Sequence, residues 1–398
     1  MKRMDEQQIM KCNEDYFMNV FSGRYPLVVD RGEGLKIFDK KGNCYYDFLA
    51  GIGVNALGHS HPELISALKE QLEKVIHCSN LYYIEPQAYL EKLLIENSCA
   101  DKLFFCNSGA EANEGAIKLT RKYFKQKKEK KYEIITAEKS FHGRSLATIA
   151  ATGQLKYQKP FVPMPAGFKM VPFNDLVAMK EAITPETAAI MVEPVQGEGG
   201  VYPAEDGYLA GLRKLCDEQG LLLIFDEIQC GIGRTGSLFA YQQYGVEPDI
   251  ITLAKALGGG VPVGAFMAKK EVADAFEPGD HGSTFGGNHL ATCAGYTTLK
   301  IILENGLLDH VQEVSSYFQK ELSKITKDIN SALSVRGKGL MLALQFDETI
   351  DAAEVVNQLF EKGFLLNAVQ KHTLRFLPPL IVEKEEIDKL IAAIREIL

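Results

Sequence analysis

LLLIFDEIQCG, residues 221–231, is the stretch of sequence that decides the fold. A short apolar run of this kind, ending in carboxylates, is typical of a strand buried in a parallel sheet. Similar runs alternate with helical stretches along the chain, which favours an α/β fold with a mostly parallel sheet covered by helices. The expected strands are Lys102–Cys106, Glu133–Thr136, Ala188–Glu193, Leu221–Phe225, Ile250–Leu253 and Val263–Ala268.

Two reactive side chains follow neighbouring strands of this sheet. Asp226 comes directly after LLLIF, and Lys255 follows the apolar run DIITLA before the flexible run LGGG. Ligands of open α/β sheets bind at the carboxyl ends of the strands. A buried carboxylate needs a partner, and a desolvated lysine becomes a nucleophile toward an aldehyde. Pyridoxal phosphate chemistry requires this pair, since the lysine holds the aldehyde and the acid keeps the pyridine nitrogen protonated.

FFCNSGAEANEGA, residues 104–116, predicts a strand followed by a helix. Ala112, Ala116, Leu119 and Tyr123 recur at helical spacing, so one face of this helix is expected to be buried. Helix N-termini bind anions, and Ser108 and Gly109 stand at this one. We interpret the motif as a phosphate cradle, although a serine at such a position is more commonly a simple N-cap.

Three regions are expected along the chain. Residues 1–60 form an N-terminal segment that packs with the small domain, residues 61–300 form the large cofactor-binding domain, and residues 301–398 form the C-terminal small domain. Within the last region we expect a helix at Glu313–Ile325, strands near Leu340–Phe346 and Thr373–Phe376, and a closing helix from Lys384.

Composition excludes several classes of function. With 52 acidic and 44 basic residues, the net charge of -8 gives no basic field for nucleic acid. The apolar runs are too short for a membrane span, and the N-terminus has no secretory signal, so a cytoplasmic protein is expected. The eight cysteines lack the spacing of a disulfide framework or a zinc site, and no metal is expected.

Two alternatives from other classes stay open at this point. GIGRTG, residues 231–236, matches the glycine pattern of an NAD-dependent dehydrogenase, but residues 226–230 separate it from the strand. A non-catalytic binding protein would retain Asp226 and the cradle without needing Lys255.

The quoted motifs together resemble the class III aminotransferases of the fold-type I pyridoxal-phosphate superfamily, in particular the acetylornithine branch. Further matching stretches are GIGVNALGHSHP, SNLYYIEPQ, FHGRSLATIAATGQ, EPVQGEGGVYP and HGSTFGGN. The resemblance runs from about Tyr16 to the C-terminus. It implies a large domain with a mostly parallel seven-stranded sheet, pyridoxal 5′-phosphate bound covalently to Lys255, and a homodimer with active sites at the subunit interface.

The resemblance also implies a role for each site residue. Ser108 and Gly109 would hold the phosphate, Phe141 would stack on the pyridine ring, and Asp226 would pair with its nitrogen. Gln229 would contact the phenolic oxygen, and Thr284 would reach the phosphate in the neighbouring subunit. Arg144 and Arg375 would bind substrate carboxylates with help from Ser283, and Glu198 would neutralise Arg375 when the donor leaves it unpaired.

The implied reaction is transamination between N2-acetyl-L-ornithine and 2-oxoglutarate, giving N-acetylglutamate 5-semialdehyde and L-glutamate, a step of arginine biosynthesis. Related enzymes that act on succinyldiaminopimelate, succinylornithine, ornithine or 4-aminobutyrate share these cofactor residues, so the donor stays open. The sequence departs from the usual family pattern at Phe21, Cys230 and His289.

Overall fold

The computed structural model describes residues 4–21 and 23–398. Its strands are β1 (Val29–Glu33), β2 (Lys36–Asp39), β3 (Cys44–Asp47), β4 (Lys102–Cys106), β5 (Glu133–Ala137), β6 (Phe168–Val171), β7 (Thr187–Val192), β8 (Val195–Gln196), β9 (Tyr202–Pro203), β10 (Leu222–Asp226), β11 (Ile250–Leu253), β12 (Gly264–Ala268), β13 (Ala332–Lys338), β14 (Met341–Phe346), β15 (Phe364–Leu365), β16 (Asn367–Ala368) and β17 (Thr373–Phe376).

The α-helices are α1 (Glu6–Tyr16), α2 (Ala50–Gly53), α3 (Pro62–Lys74), α4 (Glu85–Glu96), α5 (Gly109–Gln126), α6 (Leu146–Ala151), α7 (Leu155–Gln158), α8 (Leu176–Glu181), α9 (Tyr208–Gln219), α10 (Lys270–Ala273), α11 (His289–Glu304), α12 (Leu307–Asp328), α13 (Ala352–Glu361) and α14 (Lys384–Ile397). Short 3-10 helices cover Lys159–Phe161, Ala240–Tyr244 and Lys255–Gly258.

A seven-stranded sheet in the order β4-β12-β11-β10-β7-β5-β6 forms the centre of the molecule. β12 runs antiparallel to β11 and β4, while the strands from β11 to β6 are parallel to one another. The predicted α/β fold with a mostly parallel seven-stranded sheet is confirmed. β4 and β11 have the predicted bounds, and β5, β7, β10 and β12 differ from the prediction by one residue at one end or both.

Apolar sequence makes the inner strands the core of the protein. Every residue of β7, β10, β11 and β12 is buried, because helices cover both faces of the sheet. α5 packs against β11 and β12 through the predicted stripe of Ala112, Ala116, Leu119 and Tyr123. This packing fixes the position of the α5 N-terminus relative to the ends of β10 and β11.

Of the two smaller four-stranded sheets, one contains strands from both ends of the chain. β1, β2 and β3 form one sheet, and β15 joins it by pairing in parallel with β3, with Phe364 opposite Tyr46. β13, β14, β17 and β16 form an antiparallel sheet, against which α12 packs. The residues predicted as a helix at 313–325 lie within α12, and α14 begins at Lys384 as predicted. The domain boundaries near residues 60 and 300 stay predictions.

Among the described residues, no helix is both long enough and apolar enough to cross a membrane.

Candidate active site

The candidate site lies where β10 and β11 end. β10 ends at Asp226, and Lys255 follows β11 after one residue. Because the two strands are parallel neighbours, both side chains reach the same edge of the sheet. They line one cavity of about 420 Å³, a size within the range of small-molecule sites.

Asp226 has two side-chain partners that orient its carboxylate. His142 Nδ1 lies 2.7 Å from Asp226 Oδ2, and Asn113 Nδ2 donates to the same oxygen over 2.8 Å. The Ile228 N–H donates to Oδ1 over 3.0 Å. Burial disfavours a charged imidazole, but the hydrogen bond to Asp226 and the charges of Asp226 and Glu193 together outweigh burial and raise the pKa of His142. The three hydrogen bonds together fix the orientation of the Asp226 carboxylate.

Lys255 is the nucleophile candidate of the cavity. Its backbone adopts a left-handed conformation, with φ of 44°, at the start of the 3-10 helix Lys255–Gly258. Desolvation lowers the pKa of its ammonium group, although the nearby Glu198 carboxylate opposes that effect. A lowered pKa increases the fraction of free amine, which is the nucleophilic form.

The N-terminus of α5 opens onto the same cavity. Ser108 is the N-cap, and its hydroxyl oxygen accepts from the Glu111 N–H over 3.2 Å. A Cβ at Gly109 would lie 2.8 Å from Cδ1 of Ile228, so only glycine lets the backbone approach this closely. The free N–H groups and the positive end of the helix dipole favour an anion here.

Glu198 and Arg375 form an ion pair at the wall of the cavity. Arg375 Nη1 donates to Glu198 Oε1 over 2.7 Å and to Gln229 Oε1 over 3.2 Å, and Gln229 Nε2 donates to Glu198 Oε1 over 3.3 Å. Arg375 is fully buried, and its Nη2 has no hydrogen-bond partner among the described residues. Burial raises the pKa of Glu198, but Arg375 and Lys255 outweigh it and lower the pKa to about 2. Glu198 is therefore ionised at neutral pH.

Phe141 and Arg144 line the cavity from the loop before α6. The Phe141 N–H donates to Oε2 of the buried Glu193 over 3.1 Å, which fixes the backbone of that loop. The Arg144 guanidinium carbon lies 4.0 Å from the centroid of the Tyr157 ring and 5.5 Å from that of Phe141.

Ser283 and Thr284 lie outside the residues that line this cavity. Ser283 Oγ accepts from Asn107 Nδ2 over 3.1 Å, which places it beside the phosphate cradle. Thr284 is exposed. A single chain therefore brings eight of the predicted site residues to the cavity wall: Ser108, Gly109, Phe141, Arg144, Glu198, Asp226, Gln229 and Lys255. Arg375 lies behind Glu198 and does not line the cavity itself.

The glycines of GIGRTG do not open an α-helix. Residues 228–239 form turns and bends, and Arg234 within them is fully buried, where it donates to the carbonyl oxygens of Leu340 and Pro378. The strand, glycine and helix order of a dinucleotide site is absent from these described residues. Cys230 is also buried, and it lies outside the cavity lining.

A family model, Aminotransferase class-III, matches residues 17–398. The chain belongs to the class III aminotransferases. Acetylornithine aminotransferase of Methanocaldococcus jannaschii is 51% identical to this aminotransferase over 395 residues, which cover 99% of this chain and 98% of the relative. The fold class, the enzyme class and the family predicted from sequence are thereby confirmed.

Two solved structures share the fold over nearly their whole length. A crystal structure of acetylornithine aminotransferase from Elizabethkingia anophelis has a TM-score of 0.88 at 32% identity and covers 99% of each chain. Ornithine aminotransferase from Toxoplasma gondii has a TM-score of 0.94 at 33% identity, covering 99% of this chain and 94% of that one. Partial occupancy of pyridoxal phosphate at the active site is described for the latter.

The aminotransferases of this family depend on pyridoxal 5′-phosphate, and the cavity residues fit that group. It combines an anion, a pyridine ring and an aldehyde. The α5 N-terminus suits the anion, the fixed carboxylate of Asp226 suits a protonated ring nitrogen, and the desolvated Lys255 amine suits the aldehyde.

Sequence reasoning missed the residues that support the site from behind. His142 and Asn113 orient Asp226, and Glu193 holds the backbone of Phe141 and Gly197. One signal was available for Asn113, which lies next to Ala112 on the face of α5 that the apolar stripe predicts to be buried. A polar residue on a buried face needs a partner.

Proposed function

We propose that this aminotransferase moves the terminal amino group of N2-acetyl-L-ornithine to 2-oxoglutarate, giving N-acetylglutamate 5-semialdehyde and L-glutamate. The ion pair between Glu198 and Arg375 carries the proposal. A donor that reacts through its distal amine has no carboxylate near the reacting carbon, so Glu198 neutralises Arg375 while this donor is bound. 2-Oxoglutarate does carry that carboxylate, which then replaces Glu198 at the arginine.

Arg144 serves the other end of both substrates. It lines the cavity and forms no ion pair with a described residue, so its N–H donors are available for the remote carboxylate of acetylornithine or 2-oxoglutarate. Ser283 assists at the substrate end. Two arginines, one permanently open and one switched by Glu198, thus let one cavity accept two dissimilar substrates.

The cofactor residues act as follows in this proposal. Bound pyridoxal phosphate supplies an electron sink that makes a proton on the substrate carbon removable. Lys255 would hold the cofactor through its aldehyde and, as a free amine, would accept and return the proton of the substrate carbon. Asp226 would keep the ring nitrogen protonated, Gln229 would donate to the phenolic oxygen, Phe141 would cover the ring, and Ser108 and Gly109 would hold the phosphate.

A homodimer completes the site in this proposal. Thr284, which is exposed in the single chain, would reach the phosphate in the neighbouring subunit. Phe285, the next residue, is exposed, and so are three apolar residues of the segment that follows Asn80: Leu81, Tyr82 and Tyr83. Asn80 Nδ2 donates to Gly286 O over 2.8 Å and so joins these two segments into one surface. Exposed apolar surface of this kind supports an interface.

A single half-reaction tests the donor. Cofactor-loaded protein is mixed with N-acetylornithine without keto acid, and its visible absorption band is followed by rapid mixing. Rapid loss of the band, reversed by 2-oxoglutarate, is expected. Faster loss with ornithine, succinylornithine, succinyldiaminopimelate or 4-aminobutyrate would replace the named donor and leave the aminotransferase assignment intact.

Lys255→Ala tests the assignment of the nucleophile. The variant should bind the cofactor without covalent attachment, so borohydride should no longer fix the cofactor to the chain, and turnover should be lost. Wild-type protein treated in parallel should retain the cofactor after denaturation. A Lys255→Ala variant that turns over at a near-normal rate would remove Lys255 from the mechanism.

A further inference from the structure

Tyr157 lies beside the substrate arginine, and no role follows for it from the cofactor chemistry. It belongs to α7, and its ring centroid is 4.0 Å from the guanidinium carbon of Arg144. The same ring meets Phe141 edge to face, with centroids 5.9 Å apart and an interplanar angle of 85°. Tyr157 therefore contacts both the residue assigned to the ring stack and the residue assigned to the remote carboxylate.

Hydrogen bonds on both sides of Tyr157 hold it in place. Gln158 Nε2 donates to the carbonyl oxygen of Thr152 over 3.0 Å and to that of Ile149 over 3.2 Å. Gln154 Nε2 donates to the Ser140 carbonyl over 3.2 Å. Gln158 ties the short helix to the end of α6, and Gln154 ties it to the residue before Phe141, so the ring is a fixed platform rather than a free surface side chain.

Arg144 has few other constraints. Its side chain is exposed, and it makes neither an ion pair nor a side-chain hydrogen bond with any described residue. A guanidinium that stacks on an aromatic ring uses its face and leaves its N–H edge for a carboxylate. An arginine ordered before binding loses less side-chain entropy when the substrate arrives.

We propose that Tyr157 is a specificity-determining positioning residue, whose ring orients Arg144 to receive the remote carboxylate of the amino donor. The inference rests on the proposed function and deepens it. Lys156 is a second cation near the Tyr157 ring, with Nζ 4.9 Å from the ring centroid, and its charge adds to the positive potential beside Arg144. The platform thus serves donors that carry a carboxylate far from the reacting amine.

Tyr157→Leu removes the aromatic face and keeps apolar bulk, whereas Tyr157→Phe retains the face and removes only a hydroxyl with no partner among the described residues. Each variant is compared with wild type in the half-reaction, using N-acetylornithine and N-acetylputrescine, which is the same donor without the carboxylate. Tyr157→Leu should lower kcat/KM for N-acetylornithine by about two- to fivefold, the size expected for one exposed cation–π contact, through KM rather than kcat.

N-acetylputrescine should show no such loss, and Tyr157→Phe should match wild type with both donors. A binding measurement separates recognition from chemistry. N-acetylnorvaline has the carboxylate but no reacting amine, and its Kd by calorimetry should rise about two- to fivefold in Tyr157→Leu alone. In an Arg144→Leu background, Tyr157→Leu should change none of these values, because the ring then has no guanidinium to hold.

The outcomes that overturn the inference are distinct from those that overturn the function. Equal losses with both donors, or an unchanged preference in Tyr157→Leu, would reject the role of Tyr157 while wild type still prefers N-acetylornithine. Losses in Tyr157→Phe as large as in Tyr157→Leu would reject the ring face as the cause. A wild-type enzyme without preference between the two donors would reject the proposed donor itself, and the platform with it.

Discussion

At Glu198, burial and the neighbouring positive charges shift the carboxyl pKa in opposite directions. Its side chain is 25% exposed, that of its partner Arg375 is 0% exposed, and the attraction of Arg375 and Lys255 together outweighs the effect of burial on the Glu198 pKa. Removal of Glu198 would leave the buried charge of Arg375 unpaired, and any incoming carboxylate would then neutralise it.

Glu198→Ala should therefore shift donor preference toward glutamate. The unpaired Arg375 would bind the α-carboxylate of glutamate more strongly, and the ratio of kcat/KM for N-acetylornithine to that for glutamate should fall about tenfold or more, as for other buried charge pairs. Half-reactions with the two donors give the ratio. Glu193→Gln, which leaves the pair intact, is the control, and an unchanged ratio in Glu198→Ala would contradict the switch.

Single residues were predictable where the chemistry dictates their type. Lys255 and Asp226 stand at strand ends, so an apolar run followed by a reactive side chain was enough to place them at one edge of the sheet, while their roles stay predictions. Their supports could not be found this way, since His142 and Asn113 reach Asp226 from 84 and 113 positions away in the chain. The local sequence can show that Asn113 needs a partner, but it does not show that the partner is Asp226.

At the level of elements, α5 combines a structural and a binding role in its first turn. Ser108→Ala removes the N-cap hydrogen bond to the Glu111 N–H, at a cost of about 1 kcal/mol, and removes a hydroxyl from the proposed phosphate site. We expect a lower melting temperature together with weaker cofactor binding in a fluorescence titration.

The control for Ser108→Ala is Asp175→Ala, which removes the cap of α8 from the Ala178 N–H, outside the cavity lining. It should lower the melting temperature by a similar amount and leave cofactor affinity unchanged. Equal cofactor affinity in the two variants would show that Ser108 is a helix cap alone.

Glu227 follows the last residue of β10, and its carboxyl group has a structural role. Glu227 is fully buried and accepts from the backbone N–H groups of Ala240 and Tyr241 over 2.6 and 2.7 Å. Burial raises the pKa of Glu227 to about 8. Because the folded state holds the proton after the unfolded state has released it, ionisation opposes folding as the pH rises from about 4.5 toward 8.

Glu227→Gln should remove this pH dependence. The stability of wild type relative to the variant should fall between pH 5 and pH 8 by an amount on the order of a few kcal/mol, measured by urea denaturation of both proteins at each pH. A constant difference across that range would mean that Glu227 ionises as easily in the folded protein as in the unfolded one.

The bounds of buried strands were predicted more accurately than those of exposed strands. The inner strands of the large sheet are continuous apolar runs, and their predicted bounds lie within one residue of those found. β6 and β13 were missed because β6 is partly exposed along an edge and most of β13 is exposed or half-buried, which leaves no clear apolar run. Turn residues such as Gly337 further obscure the pattern of β13.

At the scale of the whole molecule, the exposed apolar surface around Thr284 should hold two chains together. Tyr83 is fully exposed within it. Tyr83→Asp would place an unpaired charge in the interface, so the dimer dissociation constant by sedimentation should rise about tenfold or more. Leu333→Asp changes an exposed apolar residue on β13 instead and should leave self-association unchanged.

A Tyr83→Asp protein that associates as tightly as wild type would place any interface elsewhere.

The dimer, the roles of Ser283 and Thr284 and the cytoplasmic location stay predictions for a physical reason. Each depends on something beyond the folded single chain, either a second subunit or a cellular compartment.

The pairing of β3 with β15 has a consequence for how the protein is made. Synthesis proceeds from the N-terminus, so residues 44–47 leave the ribosome long before residues 364–365 exist. Until then β3 has an unpaired edge, a known template for misassociation. The first sheet of the chain is therefore among the last to be completed, and a nascent chain truncated before residue 364 cannot close it.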